Sequence, residues 1–405
     1  MSLQHSRSRR LGSAFLAASI AAALAGCAGA PTPSSTASPS ASATSGEPSP
    51  IPVVTPSPPA LIGAVNAIVT ERTQLLDGLS FPWDIAWEPD GSALVTMRHE
   101  ARVLRYGADG SSTWLIGAGA EWLTANVVAV GEGGLLGIAL LPSDPAIVYA
   151  YVTRADGNSV VRMPLTGASL GAPRDVITGI PRAGNHNGGR IRFGPDGFLY
   201  VTTGDAANRP LSQDLSSLAG KILRMVADGT DADGSVPADN PFDSLVWSYG
   251  HRNPQGVGWA PDGRMFASEL GQNTLDELNL IEPGKNYGWP VKEAIIGAPD
   301  GTAAGATVDG YTYPLAWWPT SEASPSGIAV TREAVYMAAL RGQRLWRIPL
   351  APDGVGVPHV LLSDLGRIRL ASLGPDGALY LITSNGTASP TGDVLVRIKV
   401  RQSAR

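Results

Sequence analysis

The chain has 405 residues, among them 48 glycines and 33 prolines, and a formal net charge of −5 at pH 7. An acidic balance of that kind argues against nucleic acid as a partner and against broad electrostatic adhesion to anionic lipid. The single cysteine, Cys27, excludes an intrachain disulfide and a zinc–thiolate site, so a large apolar core must hold the fold.

The amino terminus reads as an export signal. Arginines at 7, 9 and 10 precede an apolar run, Leu11 to Gly26, which is short of the ~20 residues that span a bilayer. The run ends in "LAGC", the pattern at which bacterial lipoproteins are cleaved and lipidated. Residues 1–27 are therefore expected to be a lipoprotein signal, with Cys27 carrying the membrane anchor on the extracytoplasmic face. Residues 28–60 are nearly all Ala, Pro, Ser and Thr. They have too little apolar surface to offset ordering entropy and read as a disordered tether. Residues 61–405 remain for one folded domain, and no second linker of this kind interrupts them.

That domain repeats itself. "WDIAWEPDGSALVTMR" from Trp83, "IRFGPDGFLYVTTGD" from Ile191, "GVGWAPDGRMFASE" from Gly256 and "RLASLGPDGALYLITS" from Arg369 share an apolar lead, a Pro-Asp-Gly turn and a second strand. Looser copies start at Leu135 and Ser326. Each predicts a β-hairpin, followed by a further strand such as "ARVLRY" or "DVLVRIKV". Six copies at intervals of about 45 to 70 residues predict an all-β fold: a six-bladed β-propeller of four-stranded antiparallel sheets. Loops of all blades then converge on one face around the central channel.

Three polar clusters fall in such loops. In "GNHNGGR", His186 sits among short amides and glycines, and Asp205, at the end of the following hairpin, is placed to fix its tautomer. Taken alone, such a histidine is more often a hydrogen-bonded turn residue than a base. "YGHRNPQG" offers Arg252, Asn253 and Gln255. With Arg341, Arg367 and Arg369 it brings four arginines from three blades, a set suited to a small polyanion. "SELGQNTLDELNLIEPGKNYGWP", Ser268 to Pro290, mixes carboxylates, amides and glycines as a hard-cation site requires, without EF-hand spacing. There is no P-loop, HExxH, GxSxG or dinucleotide-binding fingerprint.

These motifs, with "EGGLLGIAL", "DLSSLAGKILRM", "GKNYGWP" and "LRGQRLWR", occur in an order that resembles the bacterial glucose/sorbosone dehydrogenase family, and its aldose sugar dehydrogenase branch in particular. The resemblance spans the whole domain. It implies a propeller that uses pyrroloquinoline quinone (PQQ) and Ca²⁺ to oxidise an aldose at C1 to the lactone. By the same resemblance His186 is the general base and Arg252 polarises the quinone. Glu132, Asn185, Asn253, Gln255, Trp318, Thr320, Arg341, Arg367 and Arg369 then line the cofactor pocket. The carbonyls of Gly271 and Gln272 match calcium ligands beside the cofactor, and Glu277 and Tyr287 match a structural calcium site.

The chain departs from the family at four positions. Leu370 follows Arg369 where the family often has an acidic residue, and Met97 replaces a common glutamate. Asn185 stands where the soluble glucose enzyme has aspartate, and Gln272 where it has proline. Two other functions compete: an extracellular binding propeller, and a lactonase-type hydrolase that would need a cage of carboxylates in the channel. The sugar, the electron acceptor and the oligomeric state are not specified by these residues.

Overall fold

Each of the four Pro-Asp-Gly turns closes by the same local chemistry. Asp90, Asp196, Asp262 and Asp376 each accept the amide two residues on, from Ser92, Phe198, Arg264 and Ala378, at 2.8 to 3.2 Å. The glycine that follows takes a positive φ of 75 to 91°, open to it because it lacks a Cβ. The computed structural model describes residues 67–386 and 392–402. The expected signal and tether, with Cys27, lie outside the described residues.

The hairpins build six antiparallel sheets. Their first strands are Pro82–Trp87, Leu135–Leu141, Ile191–Phe193, Pro254–Trp259, Pro325–Val330 and Ile368–Leu373, starting where the sequence repeats begin. Each touches the next, and the last touches the first, so they ring the central axis. The expected six-bladed propeller is the architecture found. Blades 2 and 5 each carry a short fifth strand, and one helix, Ala118–Asn126, joins blades 1 and 2.

The ring is closed by a strand that the repeat pattern did not mark. Ala67–Leu79 pairs with Asp393–Gln402 and supplies the outer strand of blade 6. The seam is packed by Ile85 and Val95 of blade 1 against Leu370 and Ile382 of blade 6. Trp87 reinforces it, donating to Ser372 at 3.2 Å and meeting Tyr380 edge-on.

Polar clamps join the blades near the axis. Asp84 of blade 1, fully buried, pairs with Arg190 at 2.5 Å and Arg192 at 2.6 Å, and accepts the Ile138 amide of blade 2 at 3.1 Å. Arg190 stacks over Trp83 at 4.0 Å and donates to the Gln255 carbonyl of blade 4 at 2.9 Å. Ser268 then donates to the Ser326 carbonyl of blade 5 at 2.6 Å. Loops at the channel mouth are thus mounted on a frame locked blade to blade.

Candidate active site

His186 lies in the loop that leads into the first strand of blade 3, and its φ is 57°, a strained value for a side-chain-bearing residue. The surroundings hold it there. Its amide donates to Glu132 at 2.9 Å, and its carbonyl accepts the Ala206 amide at 3.2 Å. Gly204 must be glycine for this, because a Cβ there would fall 2.0 Å from the His186 carbonyl oxygen.

The imidazole Nδ1 is 2.7 Å from Asp205 Oδ1. Asp205 is fully buried and takes two more donors, the Ala207 amide and Trp289 Nε1, each at 2.8 Å. Burial alone would raise its pKa. The hydrogen bonds from His186, Trp289 and Ala207 outweigh that and hold the carboxyl below its ordinary 3.8. An ionised Asp205 keeps the proton on Nδ1, so Nε2 presents a lone pair. Asn185 Nδ2 stands 3.3 Å from Nε2, and the side chain stays 12% exposed, open to a small reactant.

His186 borders a cavity of about 190 Å³, together with Glu132, Arg252, Asn253, Gly271, Gln272, Asp276, Thr320 and Arg341. Three loops supply its cationic and amide donors. Arg252 Nη1 donates to the Leu270 carbonyl at 3.2 Å, but Arg252 Nε and Asn253 Nδ2 are buried without a hydrogen-bond partner among the described residues. Donors left dry and unmatched are costly, and a bound anion with several acceptor oxygens would satisfy them. Burial also depresses the Arg252 pKa, which a bound anion would oppose.

Not every residue expected at this pocket lines it. Arg369 donates to Gln255 Oε1 at 2.8 Å, a buried pair that joins blades 6 and 4 and is absent from the cavity wall. Burial, then Arg98, pushes the Arg369 pKa down to about 9, with Glu132 opposing. Arg367 is tied to the Ser384 carbonyl at 3.1 Å. Trp318 packs in the core, 5.7 Å from Trp346, and faces a different cavity of about 430 Å³ between blades 4 and 5. That larger cavity is mostly apolar; its wall carries the carboxylates of Glu322 and Asp353 but neither histidine nor arginine, so it offers no cationic clamp for an anion.

The structure adds residues that sequence reasoning missed. Arg98 of blade 1 lies within electrostatic reach of Glu132, Arg367 and Arg369, and its pKa is depressed by burial. Its sequence signal was one basic residue beside the Met97 departure. Trp289 and Asp276 sit inside motifs whose pattern was visible, but their contacts were not.

Among the described residues, no group of three or more His, Cys, Asp or Glu side chains is arranged to hold a metal ion. A hard cation would therefore draw on carbonyl oxygens. Gly271 and Gln272 lie in the cavity wall with Asp276, whose pKa burial pushes up to about 6. Behind the wall, burial and the neighbouring Glu269 push the Glu277 pKa up to about 8. Beside it Asn279 Oδ1 is buried without a partner. A buried carboxyl beside an unmatched acceptor fits a cation, whose charge would favour the ionised form. The Tyr287 hydroxyl is already engaged, donating to the Leu280 carbonyl at 2.6 Å and accepting the Glu282 amide at 2.9 Å.

The sequence profile of the Glucose / Sorbosone dehydrogenase family matches residues 79–396. An aldose sugar dehydrogenase of Escherichia coli is 33% identical over 345 residues, covering 77% of this chain and 90% of the relative. Quinoprotein glucose dehydrogenase B of Acinetobacter calcoaceticus is 32% identical over 257 residues, 54% of this chain and 52% of its own length. Among solved structures, the PQQ-bound aldose sugar dehydrogenase of Streptomyces coelicolor superposes with a TM-score of 0.74 at 43% identity. The match covers 85% of this chain and all of that one. The chain belongs to the glucose/sorbosone dehydrogenase family.

Proposed function

We propose that this protein is a PQQ-dependent aldose sugar dehydrogenase that oxidises the sugar at C1 to the lactone, with His186 as general base. The observation that carries this reading is the placement of the His186–Asp205 pair on the cavity that also holds the unmatched donors of Arg252 and Asn253. PQQ, when bound, would supply a two-electron acceptor for the oxidation at C1. Arg252, Asn253 and Arg341 would hold it, with Arg98, Arg367 and Arg369, which interact with one another and with Glu132 of the cavity wall, adding positive charge.

The chain's own residues handle the proton. Nε2 of His186 accepts it from the C1 hydroxyl, and Asp205 stabilises the imidazolium that results. Trp289 and the Ala207 amide keep Asp205 ionised and oriented, so the base does not turn away. Arg252 lends positive charge on the side of the cavity where negative charge develops. Ca²⁺ on the Gly271 and Gln272 carbonyls would act in the same sense. The substrate is a small aldose.

The test is an absorbance titration of quinone-free protein with PQQ in the presence of calcium, followed by an aldose. Saturable quinone binding and sugar-dependent reduction are expected. Absence of quinone binding would overturn the reading in favour of a binding propeller. Export is part of the proposal: Cys27 carries a lipid, and residues 28–60 hold the propeller off the membrane.

A further inference from the structure

We propose that Glu293 is a positioning residue that aims the peptide carbonyls of Gly271 and Gln272 at a hard divalent cation. This inference rests on the reading of that loop as a calcium site. One oxygen of Glu293, Oε1, accepts four successive backbone amides. They belong to Gln272 at 2.8 Å, Asn273 and Thr274 at 3.1 Å, and Leu275 at 3.4 Å. The preceding amide, of Gly271, goes to Asp276 at 2.9 Å. Five amides in a row thus turn towards carboxylates, an anion-filled nest.

Peptide planarity sets what the carbonyls do. In a trans peptide the N–H and C=O of one unit point in opposite directions. Fixing the Gln272 and Asn273 amides on Glu293 therefore turns the Gly271 and Gln272 carbonyls away from it. The next two carbonyls of the loop are already used: Thr320 donates its hydroxyl to Asn273 at 3.3 Å and its amide to Thr274 at 3.2 Å. Among the described residues no donor reaches the carbonyls of Gly271 or Gln272, and both residues form part of the cavity wall. The loop closes this tightly only with glycine at 271, because a Cβ there would lie 1.7 Å from the Leu275 carbonyl oxygen.

Glu293 is thus spent on the amides, and the loop's dipoles present their negative ends to the cavity. Hard cations favour such oxygen donors, and the partners that orient metal ligands typically contribute 10- to 100-fold in affinity. The carboxylate lies outside the motif that suggested calcium, beyond Trp289 and Pro290.

The experiment is calcium titration calorimetry on the full-length, quinone-free chain carrying Glu277→Gln, which removes the second candidate cation site. Glu293→Gln and Glu293→Ala are compared in that background, with thermal melts in chelator to report the fold. The parent is expected to bind one Ca²⁺. Alanine is expected to weaken it about 10- to 100-fold, and glutamine, which keeps a neutral acceptor, less. Calcium affinity of Glu293→Ala within twofold of the parent would overturn the positioning role while leaving the calcium reading intact. No calcium uptake by the parent would overturn the calcium reading itself. Should the alanine variant fail to fold, an unchanged affinity in Glu293→Gln would equally overturn the role.

Discussion

The backbone amide of Asp205 donates to the carbonyl of Arg252 at 2.8 Å. The partner of the proposed base and the cation of the proposed cofactor site are thereby tied into one frame. Trp289 closes it, donating Nε1 to the Asp205 carboxylate and placing its ring 5.4 Å from the Arg252 guanidinium. Glu269 accepts the Arg252 amide and holds the other end. The two side chains still have separate tasks, and substitutions separate them.

His186→Gln keeps a polar side chain but removes the proton acceptor. A positioned base contributes roughly 10²- to 10⁴-fold, so sugar-dependent reduction should fall by about that factor. Quinone affinity should be nearly unchanged, because His186 is not among the donors proposed for the cofactor's carboxylates. Stopped-flow reduction beside a quinone titration checks both halves, and full-rate reduction by the variant would sink the catalytic role.

Arg252→Ala should act on both measurements. It removes a half-buried cation from the cavity wall, so quinone binding weakens, and it removes charge stabilisation worth roughly 10²- to 10³-fold for one lost donor. A variant that binds quinone normally yet reduces it slowly would place Arg252 on the reaction alone.

Trp289→Phe tests the frame between them. The ring under Arg252 remains, while the hydrogen bond to Asp205 is lost. A hydrogen bond to a charged group contributes about 1.5 to 3 kcal/mol, so kcat/KM should drop roughly ten- to a hundredfold with quinone affinity retained. Loss of quinone affinity equal to that of Arg252→Ala would show that the indole serves the cation and not the base.

Cys27→Ala should move the protein from the membrane fraction to the soluble fraction, or stall its processing. Fractionation with lipid labelling checks this, and an unlabelled wild-type protein in the cytoplasm would refute the proposed anchor.

Much of this architecture was legible because its signals are local. The Pro-Asp-Gly turn carries its own φ requirement and its own Asx hydrogen bond, so each blade announces its first hairpin. His186 and Asp205 are 19 residues apart, at the two ends of one such hairpin, and their pairing follows from it. The closing strand Ala67–Leu79 was not legible, since its partner Asp393–Gln402 lies at the far end of the chain and pairing across that distance leaves no local pattern. Trp317 and Trp318 show a different limit: adjacent strand residues face opposite sides of a sheet, and motif likeness did not say that Trp318 packs in the core. Gln255 and Arg369 satisfy each other across the channel, a contact between blades 4 and 6 that neither motif contains.

The buried clamp at the axis gives a prediction for stability and its pH dependence. Asp84 is fully buried between Arg190 and Arg192. Burial pushes its pKa up, but the two guanidinium groups and the Ile138 amide overbalance that and leave it below 3.8. A carboxyl with a depressed folded pKa contributes stability that is fully present above its unfolded pKa. That stability is lost as pH falls through the lower folded value. Asp84→Asn leaves two arginines without their anion in the interior, which typically costs about 3 to 5 kcal/mol, so the variant should melt well below the wild type at pH 7. On acidification below about pH 4 the wild type should lose the share that Asp84 supplies, while the variant has none of it to lose. The gap in melting temperature should therefore narrow as pH falls. Melts of both proteins from pH 7 down to the acid limit of folding check this, and a gap that stays constant or widens would show that Asp84 is not held ionised by its arginines.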